Sequence, residues 1–152
     1  MLIRNATAGD IDALLEIEKN SFDCYWLKKE NFLHLIKKGN CDFIVLIADK
    51  IVAGYALALY KKNSNKAYLY SIAVESRYRK KSFGKNLLAE IEHRARQKKC
   101  TSIHLEVKVS ASGVISFYKK SGYKEIRFIR NYYGPFGDAV VYHKSIHSET
   151  CD

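Results

Sequence analysis

No apolar run in this 152-residue chain approaches the roughly 20 residues that a membrane span requires, so no transmembrane helix is expected. Met1 is followed directly by strand-like sequence, which leaves no cleaved leader to expect either. The four cysteines, Cys24, Cys41, Cys100 and Cys151, lack a short Cys-x-x-Cys spacing. That spacing argues against a zinc site, and no metal is expected. Reduced thiols in a cytoplasmic protein are the simplest reading. No repeat, low-complexity run or linker divides the chain, so residues 1–152 read as one domain with one core. The histidines give no nucleophile system, since His34, His93 and His104 fall in separate elements and His143 and His147 in the C-terminal segment.

Charge of one sign is in excess. The formal net charge is +10, for which an anionic cofactor, a nucleic acid or plain solubility would each be a cause. Much of the excess is local: Arg77, Arg79, Lys80, Lys81 and Lys85 occur with no acid among them. That cluster favours a phosphate ligand. The pairs Lys61-Lys62, Lys98-Lys99 and Lys119-Lys120 read instead as solvated faces or loop tips.

Periodicity gives an alternation of helices and strands. A short strand at 2–5 precedes Thr7-Ala8-Gly9-Asp10, which has capping-box spacing with Asp in place of Glu, and Ile11, Leu14 and Leu15 form the buried stripe that follows. A helix is expected over 26–38, with Phe32, Leu33 and Ile36 on one face and Gly39 to end it. Strands at 42–48 and 51–60 flank a tight Asp49-Lys50 turn, and another runs over 67–74. Leu87, Leu88, Ile91 and Ala95 then recur at helical spacing. A strand at 102–109, a short helix at 111–120 and two last strands around Tyr132-Tyr133-Gly134-Pro135-Phe136-Gly137 complete an α/β pattern.

Within it, 70–122 carries the chemistry. An apolar strand ending Ile72-Ala73-Val74 leads into the cationic turn 77–85 and an amphipathic helix. Free backbone N–H groups at such a helix start bind anions, and flanking Lys and Arg add charge. Downstream, Leu105-Glu106-Val107 offers a strand carboxylate and Phe117-Tyr118 a helix-borne phenol, groups that proton transfer needs.

The order of these pieces resembles the GNAT acyltransferases, which use acetyl-coenzyme A, and within them the RimI-type protein N-terminal acetyltransferases. The residues that match are Ile17-Glu18 with Phe22 and Trp26, Ile72-Ala73-Val74, Arg79 through Gly84, Leu105-Glu106-Val107-Lys108, Phe117-Tyr118 with Gly122-Tyr123, and Arg130-Asn131-Tyr132-Tyr133 before Asp138-Ala139. The resemblance implies a mixed α/β (α+β) architecture: a mostly antiparallel sheet of about seven strands, about four helices on both faces, and a splay between the fourth and fifth strands where the cofactor enters. It implies that Glu106 is the general base and Tyr118 the general acid. It implies that main-chain groups of Ile72, Ala73 and Val74 hold the pantetheine arm and that the backbone of Lys80, Lys81, Ser82, Phe83, Gly84 and Lys85 faces the pyrophosphate, with Arg79 or Lys85 also in reach. Trp26, Tyr132 and Tyr133 would contact the acceptor, which in RimI-like relatives is a protein N-terminus, notably the terminal alanine of a small-subunit ribosomal protein.

Two positions depart from the family pattern. Ser82 stands where the first glycine of the phosphate turn is usual, so its Cβ would crowd a phosphate while its hydroxyl could donate to one. Ala111 stands where an Asn usually bonds the cofactor, a loss of about 1 kcal/mol. Cys100 beside Lys98 and Lys99 is the candidate for a rival acetyl-cysteine route, although it reads more simply as a small residue at a helix-to-strand junction. Three functions stay open at this point: acetylation of a peptide N-terminus, acetylation of a small amine, and a non-catalytic acyl-CoA-binding or nucleic-acid-binding module. Tyr68, Tyr70 and Tyr78 are the aromatics that a nucleic-acid surface would use, although strand alternation explains Tyr68 and Tyr70.

Overall fold

Strands β2 (Cys41–Ala48) and β3 (Ile51–Tyr60) are buried along most of their length, as strands with helices on both faces must be. Their connection is the two-residue turn Asp49-Lys50, with φ of 51° and 65°, the left-handed pair that matches strand twist in a tight hairpin. The structure, a computed structural model, describes residues 1–22, 27–38 and 40–146. Trp26 and Gly39 lie outside the described residues.

The remaining elements are β1 (Leu2–Asn5), α1 (Ile11–Ser21), α2 (Lys29–Lys38), β4 (Lys66–Val74), α3 (Phe83–Gln97), β5 (Ser102–Lys108), α4 (Ser112–Lys120), β6 (Lys124–Ile129) and β7 (Ala139–Ser145). They form a seven-stranded sheet in the order β1-β2-β3-β4-β5-β7-β6. Every pairing is antiparallel except β4 with β5. The mixed, mostly antiparallel α/β architecture expected from the sequence is therefore the one observed. Helix α2 starts later than expected. The backbone N–H of Lys28 donates to Asn31 Oδ1 at 3.0 Å, so Asn31 caps the chain at residue 28.

Each face of the sheet has its own core. On one, Ile11, Leu14 and Ile17 of α1 and Phe32 of α2 pack on Phe43, Val45, Tyr55 and Leu57. On the other, Leu87, Leu88, Ile91 and Ala95 of α3 pack on Ile44, Leu46, Ala56, Ile103 and Leu105. Burying one such aliphatic side chain contributes about 1.5–3 kcal/mol. Gly54 sets how close α3 comes: a Cβ there would lie 2.9 Å from the Ala73 carbonyl oxygen and 3.2 Å from Leu87.

The splay that positions the site can be read from the register. Strands β4 and β5 pair only as Lys66 with Ser102, Ala67 with Ile103 and Tyr68 with His104, yet they continue to Val74 and Lys108. At the parting point the β3–β4 ladder shifts between Leu57 and Ala58, and Tyr70 is the unpaired residue. Such a bulge bends a strand away from its neighbour. Beyond Tyr68, the β5-facing edge of β4 has no strand partner among the described residues.

Candidate active site

A cleft of about 820 Å³ occupies the splay, lined by β4 residues Tyr68 to Ile72, β5 residues Leu105 to Lys108, the start of α4 and the aromatic loop before β7. Glu106 stands two residues past the last β4–β5 pair, so its side chain enters the cleft where the sheet opens. Oε1 of Glu106 accepts a hydrogen bond from the Tyr132 hydroxyl at 2.9 Å. Oε2 is buried and has no hydrogen-bond partner among the described residues. Tyr68 stacks on His104 at 5.0 Å between centroids, and its phenol is pushed far above the ordinary range, first by burial and then by the charge of Glu106 and the proximity of Tyr132.

The loop carrying Tyr132 is held by its own sequence. Asn131 takes a left-handed φ of 55°, its N–H donates to Asp138 Oδ1 at 2.7 Å, and the Tyr133 N–H donates to the Gly137 carbonyl at 3.0 Å. Asp138 thus staples the loop that aims Tyr132. Tyr133 packs edge-on against Tyr132 at 4.9 Å and also lines the cleft. Tyr118 lies across the cleft on α4, buried, and burial alone raises its phenol above the usual value.

Of the residues singled out from sequence, Glu106, Tyr118, Ile72, Tyr132 and Tyr133 share this cleft. Ala73 is buried opposite Tyr55. The Val74 carbonyl accepts from Arg79 Nε at 3.1 Å, so that main-chain group is already bonded and Arg79 braces the strand end. The turn into α3 has an unusual backbone, with Lys80 at φ 65° and Ser82 at φ 64°. Phe83, Gly84 and Lys85 form the first turn of α3, whose N–H groups have no intrahelical acceptor. Lys80, Lys81 and Lys85 are exposed beside it. An open strand edge, free helix-start N–H groups and an adjoining cationic turn fit an extended ligand ending in phosphates.

Two of the lesser alternatives lose their support. Cys100 is buried, and burial pushes its thiol up, outweighing the opposite effect of Lys98; an activated thiolate is not what this site holds. Tyr78 is buried, stacked on Phe83 at 6.0 Å, with its hydroxyl on Asp49 at 3.1 Å. Tyr68, Tyr70 and Tyr78 therefore do not make an exposed aromatic stripe.

A second carboxylate was missed. Glu18 of α1 lines the same cleft at 3% exposure, accepts both Tyr55 hydroxyl contacts at 2.8 and 3.0 Å, and is pushed up to about 7 by burial against the opposing hydrogen bonds of Tyr55 and the Leu27 backbone. Tyr55 is in turn 2.8 Å from Ser71 Oγ on β4. The signal lay in spacing: Ile11, Leu14 and Glu18 fall on one helical face, and a carboxylate on an apolar stripe is an anomaly.

Comparison with known proteins agrees with this geometry. The acetyltransferase (GNAT) family matches residues 11–123. The chain is 31% identical over 154 residues to an N-alpha-acetyltransferase of Sulfurisphaera tokodaii, spanning 91% of this chain and 89% of the other. It is 30% identical to the ribosomal protein bS18-alanine N-acetyltransferase of Escherichia coli, spanning 86% of each. Its fold matches that of the PaiA N-acetyltransferase from Thermoplasma acidophilum, solved in complex with coenzyme A, at a TM-score of 0.80 and 24% identity over 95% of this chain and 98% of that one. GNAT acetyltransferases use acetyl-coenzyme A, and with its splayed sheet and the match over 11–123 this chain belongs to the GNAT family and is an N-acetyltransferase.

Proposed function

We propose that the enzyme moves the acetyl group of acetyl-coenzyme A to the α-amine of a protein N-terminus by direct attack with both substrates bound. The observation that carries this reading is Glu106, with one oxygen held by Tyr132 and the other buried and without a hydrogen-bond partner among the described residues, at the parting of β4 and β5. Glu106 takes the proton that the acceptor ammonium must lose, on the oxygen that Tyr132 leaves free. Tyr118, kept protonated by burial, gives a proton to the departing sulfur. Ile72 and the open edge of β4 hold the pantetheine arm, and the backbone of 80–85 with Arg79 and Lys85 holds the phosphates. Acetyl-coenzyme A supplies the activated acyl group, and these residues orient it and manage its protons.

A peptide acceptor is supported by the names of the Sulfurisphaera and Escherichia relatives and by the aromatic walls. Phe22 and Leu27 on one side and Tyr132 and Tyr133 on the other border the acceptor end of the cleft, where an extended chain fits. An α-amine, with an unperturbed pKa of about 8 against about 10.4 for lysine, exposes its nucleophilic form near neutral pH at less cost. One observation favours a second reading: Glu18 and Glu106 both face the cleft, and two carboxylates suit a small diamine. With Glu18 pushed up to about 7 by burial, its own share of that attraction is weakened at neutral pH. Turnover of acetyl-coenzyme A over peptides with varied first residues and a panel of small amines decides between them. Alanine-first peptides are expected to lead, and spermidine or free amino acids outrunning every peptide would replace this reading with the second.

A further inference from the structure

A second cleft, of about 640 Å³, meets the first at Tyr68 and Glu106 and runs away from it across the same face of the sheet, under the end of α2 and toward the β3–β4 connection. Its polar walls include His34, Lys61, Ser64, Lys66 and His104. Glu106 is the one acid among its described lining residues, and that carboxylate is committed to Tyr132 and the acceptor amine. Lys61 and Lys66 are exposed and make no ion pair among the described residues. The positive field reaches the cleft floor: His104 is pushed below its ordinary value by burial first, with Lys66, His143 and Lys61 acting in the same direction against Glu106.

We propose that this second cleft is a subsite for carboxylate side chains at about the third to fifth residues of the acceptor peptide, counting the acetylated residue as the first. The inference rests on the peptide reading of the preceding subsection and adds its charge preference. Register supplies the distance. Lys66 lies beside Ser102 and Tyr68 beside His104 in the parallel pair, so Lys66 stands four residues along β5 from Glu106. At about 3.3 Å per residue that is about 13 Å. An extended acceptor with its amine at Glu106 covers this span in about four residues, and the Lys66 and Lys61 side chains reach back over part of it. Alternation puts Lys66 and Tyr68 on the cleft face while Ala67 and Leu69 enter the core behind, so the cation and the aromatic wall are presented together. The first cleft fixes the amine and the first residues; the second reads charge further along.

The test compares four acceptors with the wild-type enzyme and acetyl-coenzyme A at low and high salt: Ala-Ala-Glu-Glu-Glu, Ala-Ala-Lys-Lys-Lys, the dipeptide Ala-Ala and spermidine. The acidic pentapeptide is expected to exceed the basic one about fivefold in kcat/KM, mostly through KM, as two exposed ion pairs would give. The ratio should shrink at high salt and invert in the Lys61→Glu, Lys66→Glu double variant, whose sites are exposed enough to tolerate the change. Pentapeptides that beat the dipeptide with no charge preference, or a preference untouched by the double variant, overturn the subsite and leave the peptide reading standing. A dipeptide or spermidine that outruns both pentapeptides overturns the peptide reading and the subsite with it.

Discussion

On the side of Glu106 that we assign to the cofactor, the open edge of β4 borders the cleft, and the first turn of α3 follows that strand in the chain. On the acceptor side the groups that line the cleft are side chains, with Tyr68 and Tyr70 from β4, Glu18 from α1, and Tyr132 and Tyr133 from the loop before β7. The difference has a chemical cause. A phosphate and an extended pantetheine arm are the same in every turnover, and backbone N–H groups suffice to hold them whatever the side chains. An acceptor must be chosen among many amines, and selection needs shape and charge that only side chains supply. Substitutions should therefore act on rate and choice on one side, and on cofactor affinity through backbone shape on the other.

The largest effect should come from the residue at the boundary. Glu106→Gln keeps the volume and the Tyr132 contact but cannot take a proton, so kcat/KM should fall about 100-fold or more at neutral pH while the coenzyme A dissociation constant holds. Tyr118→Phe should likewise slow turnover without loosening the cofactor. Steady-state kinetics paired with calorimetry separates the two quantities. A folded Gln variant with full turnover removes Glu106 from the mechanism, and a Tyr118→Phe variant that mainly weakens coenzyme A makes Tyr118 a binding residue.

Glu18 sharpens the acceptor side through stability. Its carboxyl is raised from 4.5 to about 7 in the fold, so between those values the folded chain holds a proton that the unfolded chain has released. Stability therefore falls as pH rises through that window, and above it the buried charge costs about 3 kcal/mol, at about 1.4 kcal/mol per unit. Glu18→Gln should raise stability to urea by about 1–3 kcal/mol at pH 8 and change little at pH 4, since its amide oxygen still accepts from Tyr55. Equal effects at both pH values would show that Glu18 carries no such penalty. A gain in stability with a loss in peptide turnover would mark a charge kept for function.

These two residues also show how far the sequence could be read. The place of Glu106 in the cleft was legible because strand, turn and helix leading to it are contiguous in the chain. The fold followed for the same reason: periodicity gave the elements, and the resemblance gave the splay that β4 and β5 display. Glu18 was passed over as a site because its significance depends on Tyr55, 37 residues away, and on a bulge at Tyr70 that no local pattern announces. Tyr132 lines the cleft as the acceptor reading needs, and its bond to Glu106 is a link that no local pattern shows, made from a loop that Asp138 pins across a seven-residue interval.

The cofactor side offers a smaller effect of the opposite sign. Ser82 sits at φ 64° and ψ 15° at the start of α3, a conformation that costs a residue with a Cβ about 1 kcal/mol and that glycine adopts freely. Ser82→Gly also removes a Cβ that would crowd a phosphate held at this turn. Calorimetry should show coenzyme A binding unchanged or tighter by up to about tenfold, which is about 1.4 kcal/mol. Marked weakening would mean that the hydroxyl is itself a phosphate ligand, and the cofactor side would then depend on a side chain after all.

The smallest effect tests whether the acceptor side reads more than an amine. A peptide bound between Phe22 and the Tyr132–Tyr133 pair must fix its backbone as well as its nitrogen, and contacts remote from the reacting atom lower KM and improve orientation. A tetrapeptide beginning with Ala should therefore have a higher kcat/KM than its N-terminal dipeptide. Tyr133 lines the cleft and packs edge-on against Tyr132, so if its hydroxyl meets the peptide backbone, Tyr133→Phe should shrink that length advantage a few-fold, the scale of one hydrogen bond. If the ratio of tetrapeptide to dipeptide is the same in both enzymes, Tyr133 is a wall and not a contact. Acceptor choice would then rest on Phe22, Leu27 and the charge along the second cleft.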